Sequence, residues 1–134
     1  MRATSRRTLA RWAIVIACAL PSAGCVAAAA AGAAGAIYAT TRGVESLVSG
    51  SIDQVAGRVP LVMQQMGITQ TGSSTEDSGA KREFKGKRGD LDITVQLERQ
   101  DSATTKAEVS ARKNLAEWDK DYARQVMEQI VKQR

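Results

Sequence analysis

The hydrophobic pattern changes period several times along the 134 residues, and each change marks an element. A poorly patterned stretch from Tyr38 to Val48 predicts a first strand. "SGSIDQV" then opens a helix, with Ser51 suited to cap it and Asp53 complementing the dipole of its first turn. Ile52, Val55, Val59, Val62, Met63 and Met66 fall on one side of that helix. Pro60 lies inside it and is expected to kink it, while Gly67 can end it in the left-handed conformation.

Beyond Gly67 the period drops to two. Ile68 to Ser74 reads as a strand and "STEDSG" as a loop; Ala80, Arg82, Phe84 and Gly86 then alternate with Lys81, Glu83 and Lys85. In Leu91 to Glu98, Leu91, Ile93, Val95 and Leu97 face one way and Asp92, Thr94, Gln96 and Glu98 the other. Thr105 to Arg112 repeats the rule with Ala107, Val109 and Ala111 inward. Strict alternation implies a sheet with one face covered and one in water. The last segment is a helix with two possible starts, an Asn114/Glu117 capping box or Asp119. Tyr122, Val126, Met127 and Ile130 form its stripe, with Trp118 on that stripe or just before it. The expected fold is a two-layer α+β sandwich over residues 38–134, in the order β-α-β-β-β-β-α, with two helices covering one face of an antiparallel sheet.

Ahead of this domain the chain is organised differently. Residues 1–24 run from a basic segment, Met1 to Arg11, through apolar "WAIVIACAL" to small "PSAGC", the layout of a secretory signal. The formal net charge of +5 belongs mostly to this leader, since removing Met1 to Gly24 leaves 15 Lys+Arg against 14 Asp+Glu. Ser22, Ala23 and Gly24 before Cys25 resemble the recognition pattern of lipoprotein signal peptidase, although that pattern prefers Leu where Ser22 stands. "VIAC", ending at Cys18, matches better by residue type but follows only Trp12 to Ala17, short of the usual hydrophobic length. Cys25 is therefore the expected lipidation site, carrying diacylglyceryl and acyl groups as its only attached groups. A Cys18–Cys25 disulfide has no core to support it.

Two further readings concern the same region. Trp12 to Thr41 contains no charged residue, so an uncleaved single-span anchor in the inner membrane is the alternative, weakened by Pro21 and the Ala/Gly content. "SRRTLAR" resembles a twin-arginine signal but has Leu9 where that family prefers Phe. Residues 25–37 are expected to be a tether, because small side chains bury too little surface for a core; Gly32 and Gly35 could instead form a helix-packing face. Val26, rather than Asp, follows Cys25, and by resemblance to lipoproteins of the same sorting system this implies the outer membrane, facing the periplasm.

A lipobox cysteine, an Ala/Gly tether and this order of elements, with "GITQTGSS" after the first helix and a final "VMEQIVKQ", resemble a family of short proteobacterial lipoproteins classed as a domain of unknown function. The resemblance spans nearly the whole chain and implies location and fold only. It brings no catalytic residues.

Candidate chemistry is sparse. The chain has no histidine, and Cys25 would be the only mature cysteine, so His/Cys metal sites and His-based triads are excluded and no cofactor is expected. "KGKRGD" lacks the spacing of a phosphate-binding loop. Its Arg88-Gly89-Asp90 invites an adhesion reading, but Gly-Asp between two strands signals a hairpin. Glu117, Asp119 and Asp121 could form an acid/base or metal group, or complement the dipole of the final helix. Lys81, Lys85, Lys87 and Arg88 are the candidate interaction surface; on their face Glu98, Lys106, Glu108 and Arg112 mix the signs, as cross-strand pairing would require.

Two functional classes follow: a non-catalytic envelope lipoprotein that binds an envelope protein or anionic envelope polymer, and a carboxylate-dependent periplasmic hydrolase. The first is the expectation, with no enzyme activity and no nucleic acid as partner. A ligand carrier with a deep cavity is poorly supplied with large apolar side chains.

Overall fold

The computed structural model describes residues 35–133. Cys18, Cys25, the leader, nearly all of the tether and most of the alternative spanning segment lie outside the described residues. The elements are β1 (Ile37–Ala39), β2 (Gly43–Ser49), α1 (Ile52–Gln65), β3 (Thr69–Glu76), β4 (Lys81–Arg88), β5 (Leu91–Arg99), β6 (Thr104–Arg112) and α2 (Lys120–Lys132), with a short 3-10 turn at Asp77–Gly79 before β4. They form one antiparallel sheet in the order β1-β2-β6-β5-β4-β3. Both helices pack on the same face, so the molecule is the two-layer α+β sandwich that the alternation predicts.

One expectation is corrected at the start of the fold. The single strand over Tyr38 to Val48 is a hairpin, β1 and β2, turned at Thr40–Arg42, where Thr40 N donates to Gly43 O (2.9 Å) and Gly43 N donates to Thr40 Oγ1 (3.0 Å). Gly43 is required there by close approach: a Cβ would fall 2.0 Å from the Val109 carbonyl oxygen of the neighbouring strand. From β2, helix α1 crosses the sheet and delivers the chain to β3 at the opposite edge.

The helix ends follow their local chemistry. Ser51 caps α1 through a capping box with Gln54 (3.0 and 3.3 Å), which supplies partners for two otherwise orphan N–H groups. Pro60 leaves the helix unbroken and faces solvent, and Gly67 closes it at φ 68°. The start of α2 is the later option, with Tyr122 N donating to Asp119 Oδ1 (2.8 Å). Asn114 instead folds the preceding loop by accepting from Ala116 N and Glu117 N.

The core lies between helices and sheet. Val44, Val109, Val95 and Phe84 form one row across β2, β6, β5 and β4, under Val55, Val59, Val62 and Met63 of α1 and Val126, Met127 and Ile130 of α2. β3 contributes no apolar side chain, and its TQTGSSTE sequence is exposed along almost its whole length. A register shift between Gln70 and Gly72 and the polar composition suit an edge strand, where a long flat apolar edge would recruit other chains.

Candidate functional site

The helices leave one face of the sheet open, and the strand register arranges its side chains as a grid. One row across the strands reads Arg112, Asp92, Lys87; the next Gly43, Ser110, Thr94, Lys85; the next Glu45, Glu108, Gln96, Glu83; and the last Leu47, Lys106, Glu98, Lys81. Charges of opposite sign neighbour each other over most of this grid, the exception across the strands being Glu45 opposite Glu108. Lys81 pairs with Asp77 (3.1 Å), Lys85 with Glu83 (2.9 Å), Lys106 with Glu45 (3.3 Å), and Asp92 with both Lys87 and Arg112 (3.4 Å each). Gln96 Nε2 donates to Glu83 Oε2 (2.8 Å), which ties β5 to β4.

These contacts shift the groups involved. Lys85 and Gln96, hydrogen-bonded to the Glu83 carboxylate, hold its pKa below the usual carboxylate range. Lys85 is raised by the same pair, and Lys81 is raised chiefly by its hydrogen bond to Asp77. At the tip between β5 and β6, Asp101 is lowered by the backbone N–H of Ala103 (2.7 Å). Every resolved shift favours the charged form, the pattern of paired surface groups.

The structure divides the four basic residues singled out in the sequence. Lys81, Lys85 and Lys87 lie together on the open face of β4, each with a carboxylate partner. Arg88 does not join them. Alternation turns it to the helix side, where its guanidinium lies 5.1 Å from the centroid of the Tyr122 ring. Arg82 has the same parity and pairs with Asp53 of α1. Gly89, at φ 57°, turns the β4–β5 hairpin, so Arg88-Gly89-Asp90 is a strand end and its turn.

The carboxylates near α2 have separate tasks. Asp119 caps the helix, Asp121 is exposed in its first turn, and Glu117 accepts from Asn114 Nδ2 (3.1 Å) and lies 3.7 Å from Lys113. Among the described residues no group of three His, Cys, Asp or Glu side chains could hold a metal ion. No helix among the described residues is long and apolar enough to cross a membrane. No family model, curated protein or solved structure matches the chain.

Residues outside the basic and acidic groups complete the open face. Trp118 bridges to Arg112 and continues the line of β2 past Gly43, half-buried at the border of the open face and outside the core. The Arg42 guanidinium lies 5.9 Å from the centroid of its ring. Two open depressions mark the face, and they share Glu83, Gln96 and Glu108. The one bounded by Trp118 and Arg42 is floored by Thr94 and Ser110. The sequence shows only its parts, Thr94 and Ser110 as short polar residues on alternating strands; the register of β5 and β6 brings them side by side between rows of long charged ones.

Proposed function

We propose that this chain is an envelope lipoprotein, anchored by lipidated Cys25 to the outer membrane on its periplasmic side, whose folded part is a non-catalytic binding or structural module. The observation that carries the module reading is the open face of the sheet. Among the described residues it is a broad surface of ion-paired side chains with no covering helix. The anchor reading rests on the leader and on Cys25 with its small preceding residues, and the segment Val26–Ala36 sets the distance between the anchor and β1 at Ile37. The resemblance to short proteobacterial lipoproteins points the same way.

The test of the anchor is metabolic labelling with a fatty-acid analogue of wild type, Cys25→Ala and Cys18→Ala, each fractionated into inner-membrane, outer-membrane and soluble pools. Label and outer-membrane residence are expected to vanish with Cys25→Ala alone. Unlabelled protein held in the inner membrane would instead make the apolar leader a retained span.

A further inference from the structure

The open face carries a groove whose lining discriminates between classes of ligand. Ser110 and Thr94 put short side chains side by side on β6 and β5, with Gly43 continuing their row on β2. Long side chains rise on both sides of that row: Arg112 and Asp92 on one, Glu108, Gln96 and Glu83 on the other. A row of small residues between two rows of large ones is a groove running across the strands, here of about 260 Å³. Crossing from β2 to β4 it covers three strand spacings, about 14 Å. Lys85 stands at its β4 end, and Trp118 with Arg42 at its β2 end.

The charge of this groove decides between ligands. Its cations, Arg42, Lys85 and Arg112, are matched in number by its anions, Glu83, Asp92 and Glu108. Lys85–Glu83 and Arg112–Asp92 already satisfy one another. A polyanion would meet the carboxylates and a polycation the guanidinium and ammonium groups, and either would have to break existing pairs. An uncharged ligand with many hydroxyl or amide groups meets no such penalty. It can accept from Arg, Lys and Gln and donate to Glu and Asp while the pairs stay intact, and charged partners make those hydrogen bonds the stronger kind. Among the described residues, Arg42 and Glu108 form no ion pair and keep their capacity for a ligand. Gln96, fixed through its bond to Glu83, adds a side chain already held in place, which lowers the ordering cost of binding. The half-buried indole of Trp118 supplies what the floor lacks, a flat apolar surface at the end of the groove.

We propose that this groove binds an uncharged glycan strand laid across β2, β6, β5 and β4, with Trp118 as the stacking surface and Arg42, Glu108 and Gln96 as the hydrogen-bonding groups. The proposal rests on the reading of the open face as the binding surface. A second copy of the chain fits the groove poorly, because a stable protein interface needs an apolar centre and this floor is Ser110 and Thr94.

The test is calorimetric titration of the full-length chain in detergent micelles with chitohexaose, cellohexaose and maltohexaose, and with polyphosphate and spermine as charged probes. At least one neutral hexaose is expected to bind saturably and the charged probes not to. Trp118→Ala should weaken that binding about tenfold, the scale of one lost aromatic contact. Thr94→Phe, which fills the floor with another good strand former, should do the same, and Leu61→Ala on exposed α1 surface should leave binding unchanged. Unaltered thermal midpoints establish that the variants fold. The proposal is overturned if none of the three hexaoses binds, if binding is equal in the folded Trp118 and Thr94 variants, or if polyphosphate or spermine binds in their place. This assay reads binding in micelles and the labelling experiment reads the anchor in cells, so either can fail without the other.

Discussion

The two faces of the sheet are made by alternate residues of the same strands, yet different physics holds each. On the covered face Val44, Val109, Val95 and Phe84 run side by side, and removal of apolar surface from water under α1 and α2 is what they contribute. One residue along, the open face carries Glu45, Glu108, Gln96 and Glu83 in the same order of strands. Glu45 and Glu108, like charges directly opposite, destabilise their pair, and Lys106 on the diagonal offsets this through its contact with Glu45. The covered face is bound to its residues by volume and burial. The open face only has to keep its charges in register, which leaves it free to carry a groove.

The comparison predicts a descending series of effects. On the covered face, Leu97→Ala removes a side chain that is 1% exposed and should cost about 2–5 kcal/mol in chemical denaturation. A loss below about 1 kcal/mol would mean that the covered face is not a packed core. At the helix end that seats α2 on this face, Asp119→Ala should cost about 1 kcal/mol, through the N–H of Tyr122 left without its acceptor.

On the open face the effects are smaller and depend on pH. The Glu83 carboxylate is lowered by Lys85 and Gln96, so its contribution to stability is complete above the ordinary carboxylate range. That contribution is lost as pH falls through the lowered folded value. Glu83→Gln should therefore lower the thermal midpoint modestly near neutrality, change little at low pH, and so flatten the acid limb of the curve of midpoint against pH. An unchanged acid limb would show that Glu83 is not held by its neighbours. The smallest effect belongs to a polar atom on the covered face. The Tyr122 hydroxyl is buried without a hydrogen-bond partner among the described residues, so Tyr122→Phe should stay within about 0.5 kcal/mol of wild type by denaturation. A larger loss would reveal a partner for that hydroxyl.

Where period and caps were strong, the chain announced its fold. Leu91 to Glu98 and Thr105 to Arg112 alternate strictly, and the structure keeps their parity. Ser51 and Gly67 bound α1 as their chemistry requires. The N-terminal hairpin was hidden because Thr40–Arg42 contains none of the usual turn residues and Gly43 serves close strand packing instead. Nearness in sequence groups Arg88 with Lys85 and Lys87, whereas the parity that turns Arg82, Phe84 and Gly86 toward the helices turns Arg88 there too. Trp118 reads as core by residue type; only the cap at Asp119 and the bridge to Arg112 put it beside the open face. The groove needed the register itself, because Ser110 and Thr94 become neighbours only once β5 and β6 are paired.

The most direct test of the open face as the binding surface is photocrosslinking in intact cells from a residue on each side of the molecule. A photoreactive amino acid at Lys85 places the probe at the β4 end of the groove without filling its floor, and one at Leu61 places it on the exposed side of α1. A discrete adduct is expected from Lys85 and none from Leu61. Adducts from Leu61 alone, or from neither position, would contradict the open face as the binding surface.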